Sequence, residues 1–383
     1  MHLGRPKSKA RTGGTVVRKI RTLRIVPVSL VILALLLAGC TGGQSKPQSQ
    51  PAPSVPQAPP PEKKPLRPFT IGVPVSPPSM VHLAPYIAME KGFFEAQGLK
   101  VTKDDLKEFE GGLQALRGSA AGGLDVAGTS SDPLIIAASQ GGGVKAIGTY
   151  APKLSVVAVV QPGISKVEEL KGKRIGIQEV GGFNEVMARA VLASKGMKPE
   201  DVQYVTVATS GRVPGLVANK IDLAILHIDQ YYSAMSKKPD LRVLVNLWDV
   251  LPQWWYSAYM VREEQLKDPE ERQALVGFIT AIIKAQRFMY NNREETIAIG
   301  VKYTGQDKEV VTKAYDALAK GGIWAVNDGM PKDMIQYTIN KQVEIGSIPA
   351  NKKPTYEQVV DPSLAEEALK RLGGRLTGDP RWY

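Results

Sequence analysis

Polar side chains able to grip a small solute recur at five places where a β-prone run gives way to a helix-prone one. Ser79, His82 and Tyr86 follow Val75, while Ser130 and Ser131 follow Gly128. Gln178, Gly182, Phe183 and Asn184 follow Ile177, Ser210 and Arg212 follow Val207, and His227 follows Leu226. Ligands of open α/β sheets lie beyond the carboxyl ends of the strands, so these connections are expected to converge. Hydroxyls, carboxamides, two imidazoles and a guanidinium among apolar residues have the make-up of a small-molecule cleft. Each also has a plainer reading. His82 and His227 either contact a solute or hydrogen-bond the helix that each precedes. Gly181-Gly182 either offers bare amides to a phosphate or sulfonate or makes a tight turn. Arg212 either clamps an anion or is solvated. Strand alternation directs Trp254 and Tyr256 to one face, which either stacks on a flat ring or packs between lobes.

Catalytic chemistry is poorly supplied. The only cysteine is Cys40, which excludes an intramolecular disulfide and any multi-thiolate metal or iron–sulfur site. Residues 69–383 contain two histidines, His82 and His227, whose spacing from carboxylates matches no metal motif. No catalytic residue, metal or cofactor is expected.

The elements that would position these residues read as βα units. Phe69, Ile71, Val73 and Val75 alternate along a strand; a helix over about 82–96 and a strand near Leu99–Val101 follow. Leu124–Gly128 and Val144–Ile147 flank a helix with Asp132 expected as its N-cap and Pro133 as its first residue. The pattern returns 97 positions later: Asp125 maps onto Asp222, Asp132 onto Asp229 and Ser130 onto His227. Lys173–Gln178 and Val202–Val207 read as strands, separated by a helix whose apolar face includes Phe183, Val186, Met187 and Val191. Beyond Val261 the period is helical, with Leu275, Ile279, Ile282, Gln286 and Met289 in one stripe. Ser155–Gln161 and Trp254–Val261 are long β-prone runs suited to two crossings between lobes.

The net charge of +12 is unevenly placed. Residues 1–40 hold eight basic side chains and no acidic one, whereas residues 69–383 balance to +1. Such a body has no global field for a polyanion, so no nucleic-acid partner is expected. Ile25–Ala38 is a 14-residue apolar run, the length of a signal-peptide core and short for a membrane span. It leads into Leu37-Ala38-Gly39-Cys40, which resembles the cleavage site of a bacterial lipoprotein, whose cysteine becomes the lipid-bearing first residue. Nine prolines in residues 41–68 favour an extended spacer.

Ala84–Val101 (APYIAMEKGFFEAQGLKV), Gly123–Ala127 with Ser130-Ser131-Asp132, Val167–Ile177 (VEELKGKRIGI) and Gly196–Val205 carry a family resemblance. Over about residues 69–350 the chain resembles the extracytoplasmic solute-binding proteins of ABC transporters of the nitrate/taurine/thiamine-pyrimidine-precursor type. The resemblance implies an α/β, type II periplasmic-binding-protein fold: two Rossmann-like lobes joined by a two-strand hinge and closing on a solute. The expected division is a signal peptide over 1–39, lipidated Cys40 with the spacer to 68, a first lobe from 69–157 and 257–383, and a second lobe over 158–256. The function implied is a receptor on the outer face of a bacterial membrane, anchored by lipid (palmitate) on Cys40. It would take a pyrimidine-like heteroaromatic or a sulfonate-like anion and deliver it to ABC permease subunits. A sensor or scaffold with the same fold is the alternative, with a surface enzyme behind it. The fungal enzyme that makes the thiamine pyrimidine resembles these proteins but carries a cysteine-rich iron motif, which this body lacks.

Overall fold

The computed structural model describes residues 65–379; the expected signal peptide, Cys40, most of the spacer and Trp382 lie outside them. Among the described residues, ten strands build two five-stranded sheets. In chain order these are β1 (Ile71–Val73), β2 (Leu106–Glu108), β3 (Val126–Ser130), β4 (Val144–Gly148) and β5 (Val156–Val160). They continue with β6 (Arg174–Ile177), β7 (Gln203–Thr206), β8 (Leu223–His227), β9 (Arg242–Asn246) and β10 (Ser257–Arg262). The first sheet runs β2-β1-β3-β10-β4 and the second β7-β6-β8-β5-β9. These are the same order twice. Three adjacent strands in each sheet pair in parallel, and the far edge strand, β4 or β9, runs in the same direction. The fourth, β10 or β5, runs antiparallel to both of its neighbours. Each sheet thus receives its antiparallel strand where the chain arrives from the other lobe. β3, β5 and β8 are buried along their whole length and accordingly read as continuous apolar or small-residue runs.

The helices that matter to the site follow the strands: α1 (Ala84–Glu90), α2 (Gly112–Ala120), α3 (Ser131–Ser139), α4 (Phe183–Ala193), α5 (Arg212–Val217) and α6 (Ile228–Lys237). The predicted repeat is present in the hydrogen bonding. Asp125 at the foot of β3 accepts the Thr70 N–H at 2.7 Å and pairs with Arg67 at 3.3 Å. Asp222 at the foot of β8 accepts the Arg174 N–H at 2.8 Å and pairs with the Arg174 side chain at 2.8 Å. The helix caps differ from expectation. Ser130 and His227, not Asp132 and Asp229, hold the N-cap positions of α3 and α6, because each strand runs straight into its helix with no connecting residues. Both aspartates fall inside the first turn and are buried.

The chain crosses between sheets twice, through residues 149–155 and 251–256. The two runs expected as crossings become β5 and β10, each interior to a sheet and not paired with each other. Immediately ahead of them the crossings lie side by side: the Tyr256 N–H donates to the Pro152 carbonyl at 2.9 Å and the Ser257 hydroxyl to the Ala151 carbonyl at 2.8 Å. After β10 the chain is helical, with α7 (Pro269–Asn291) burying the predicted stripe. Its Gln286 amide donates to the Thr149 and Tyr150 carbonyls at 3.1 and 2.9 Å, which fastens the first crossing to the first lobe. α8 (Arg293–Thr304) and α9 (Lys308–Gly321) follow, and α9 lies against α6 of the second lobe.

Candidate functional site

Aromatic rings from both lobes and the second crossing meet where β3 and β8 end. His82, from the first lobe, faces His227, from the second, edge to face with ring centroids 5.2 Å apart. Tyr256 packs on Phe183 at 5.1 Å and on His227 at 6.2 Å. Tyr150, from the first crossing, completes the group at 4.9 Å from His82 and 5.8 Å from Tyr256. Ser79 and His82 Nδ1 are 2.8 Å apart, an arrangement that orients the imidazole. Burial and then the Arg212 charge hold His82 down at about 3, and burial likewise holds His227 well below the usual histidine range. Both rings are therefore neutral at physiological pH, each with one donor and one acceptor nitrogen. His82 Nε2 and His227 Nδ1 make no hydrogen bond among the described residues.

Arg212 lies beside the cluster, its charge acting on His82 and Tyr256. Its residue is 1% exposed and its Nη1 donates to the Ile225 carbonyl at 2.6 Å, an oxygen that also accepts from Asn184 Nδ2 at 3.1 Å. Arg212 Nε and Nη2 and Asn184 Oδ1 have no partner among the described residues, and no carboxylate pairs with the guanidinium. Burial draws Arg212 down to about 10 but leaves it charged. Asp132 lies near Tyr150 and Tyr256; burial pushes it up to about 7, against hydrogen bonding from its own backbone and from Ser130. The Ser130 hydroxyl is buried beside Ser257, its partner across β3 and β10.

His82, Phe183, Asn184, Arg212, His227 and Tyr256 are thus brought together, with Ser79 and Ser130 beside them. Other candidates lead elsewhere. The Tyr86 hydroxyl donates to Glu108 at 2.8 Å and its ring packs on Tyr303. Ser131 donates to the Trp255 carbonyl, Gln178 bonds Thr209, and Ser210 is exposed. Gly182 is the buried N-cap of α4; the neighbouring Gly181 N–H is taken by Glu185 at 2.6 Å, so the Gly-Gly turn does not present both amides freely. Trp254 is buried without a ring contact to the cluster among the described residues, while Trp255 donates to the Gly329 carbonyl at 3.0 Å. Tyr150 was not singled out in the sequence. Its signal was its place just after β4, in the same class of strand-end segment as the others.

Two α/β lobes of identical sheet order, with a buried polar and aromatic cluster where the carboxyl ends of their strands meet, define a solute-binding protein of the periplasmic type. Residues 79–296 match the family described as NMT1/THI5 like, and the chain belongs to that family. An inferred binding protein of Brucella abortus is 29% identical over 223 residues, 58% of this chain and 67% of that protein. The alkanesulfonate-binding protein SsuA of Xanthomonas axonopodis, solved bound to MOPS, superposes with a TM-score of 0.60 at 18% identity, covering 78% of this chain and 99% of that one. The periplasmic nitrate-binding protein NrtA of Synechocystis gives a TM-score of 0.63 at 15% identity, covering 80% and 89%. At these identities the structural likeness establishes the fold. Among the described residues no helix is long and apolar enough to cross a membrane, and no cluster of three or more potential metal ligands occurs.

Proposed function

We propose that the chain is a receptor that closes its lobes around a small anion, such as a sulfonate, and passes it to an ABC importer without chemical turnover. The observation that carries the choice of ligand is the Arg212 guanidinium, buried between the lobes with two unbonded nitrogens and, among the described residues, no carboxylate at ion-pair distance, the charges of Asp229 and Glu110 acting on it from further off. A buried charge without a partner at contact distance is destabilising, and an anionic solute group would supply that partner. The neutral imidazoles, Asn184 and Ser130 would serve the solute's polar atoms, and Phe183 and Tyr256 its apolar part. The ligands named for SsuA and NrtA are anions, in keeping with this reading. Lipid on Cys40 would hold the receptor at the outer face of the membrane, with the proline-rich segment as its spacer. The Phe183–Tyr256 pair supports a second reading, an uncharged pyrimidine-like ring held by stacking.

A thermal-shift panel of small sulfonates, nitrate, bicarbonate, pyrimidines and riboflavin separates the two. The proposal expects a sulfonate or other small anion to raise the melting temperature and remain chemically unchanged. Stabilisation by an uncharged pyrimidine alone favours the second reading, and consumption of any compound contradicts the receptor.

A further inference from the structure

Two carboxylates reach across the cleft, one from each lobe, and each bonds backbone amide at the start of a helical segment on the other side. Glu179, just beyond β6, accepts the Leu113 N–H at 3.1 Å. Leu113 stands in the first turn of α2, whose N-cap is Gly111 and so has no side chain to offer. In the reverse direction, Glu110 accepts the Thr209 N–H at 2.8 Å through its carboxylate, and its carbonyl accepts the Thr209 hydroxyl at 3.0 Å. Thr209 opens the turn that leads into α5, and the residue at its N-cap position, Ala208, carries only a methyl. The two capped ends are equivalent in the fold. Each follows the edge strand of its sheet, β2 or β7. Neither lobe caps this end for itself.

The glycines around Glu179 clear its path. A Cβ at Gly111 would lie 2.3 Å from Glu179 Oε1, and one at Gly182 would lie 2.5 Å from Glu179 Cγ. Any side chain at Gly111 would therefore displace the carboxylate that does the capping. We infer that Glu110 and Glu179 are positioning residues that hold the lobes together by reciprocal capping and so set solute affinity without touching the solute. Each lost cap exposes an orphan amide whose substitute partner in an open molecule is water. The inference rests on the proposed closure around a solute, but its test requires none, so an unproductive ligand panel leaves this result readable.

The test is amide hydrogen exchange of the full chain in detergent, resolved at Leu113 and Thr209, with solution scattering alongside. Glu179→Ala is expected to speed exchange by about fivefold, the equilibrium weight of one typical cap, at Leu113 and also at Thr209 in the other lobe. The radius of gyration should rise with it. Glu179→Gln, which keeps an acceptor oxygen, should recover most of the protection. Gly111→Ala, which leaves Glu179 in place but blocks its approach, should reproduce the alanine result. Faster exchange confined to Leu113, with Thr209 and the scattering unchanged, would overturn the inference, because a purely local cap does not reach the other lobe.

Discussion

A guanidinium sealed in a protein interior either has a partner or imposes a cost of several kcal/mol, and among the described residues Arg212 has one carbonyl to answer five N–H groups. Asp132 presents the mirror problem. Its carboxylate is buried with no cation paired to it among the described residues, and burial lifts its pKa to about 7. A folded-state pKa above the unfolded one means that the group favours folding fully below the unfolded value, near pH 4, and loses that contribution as pH rises through 7. His82, held down at about 3, works in the opposite sense: its contribution is present above pH 6.5 and is lost as pH falls towards 3. Because the two slopes oppose, the wild-type curve alone is uninformative and a difference isolates the aspartate. The melting temperature of Asp132→Asn minus that of wild type is expected to climb between pH 4 and 7 and to level off above, by several degrees in total. A difference that stays flat with pH would show that Asp132 has a partner for its charge.

At the level of elements, the 97-residue repeat predicts equivalent work for equivalent residues. Asp222 ties β8 to β6 through the Arg174 amide and side chain, as Asp125 ties β3 to β1 through Thr70 and Arg67. Asp222→Ala should therefore cost about 1 kcal/mol in denaturant unfolding, the scale of the one backbone hydrogen bond to the carboxylate, the exposed ion pair adding little. An effect within a few tenths of a kcal/mol would mean that the pairing is surface decoration. These strands were legible because burial on both faces leaves long apolar runs, and α4 and the helices beyond β10 because their apolar stripes are regular. β2 and α2 were not. Leu106-Lys107-Glu108 is short and mostly polar, and α2 carries glycines at its start and interior. Its missing cap lies 66 residues away, on Glu179, where no local pattern records it. The displacement of Asp132 and Asp229 from N-cap to first turn has a local cause: each strand passes directly into its helix, so the caps fall on Ser130 and His227.

For the molecule as a whole, two sheets with one order, each completed by a strand that arrives from the other lobe, explain how the chain crosses twice and returns to its first lobe. The family blocks made that architecture readable before any coordinates. The site was readable only in outline. Strand ends point to loops that do meet between the lobes, but which side chains turn inward depends on contacts between lobes. Tyr86 turns instead to Glu108, Gln178 to Thr209, and Ser210 to solvent. The near-neutral body also fits a receptor whose selectivity resides in one buried cation rather than in a surface field. Calorimetric titration of wild type and Arg212→Met with the most stabilising anion of the panel tests this most directly. Saturable binding to wild type at one site is expected, with binding at least about 100-fold weaker in the variant, the scale of a broken buried ion pair. Equal affinity in the two proteins would contradict it.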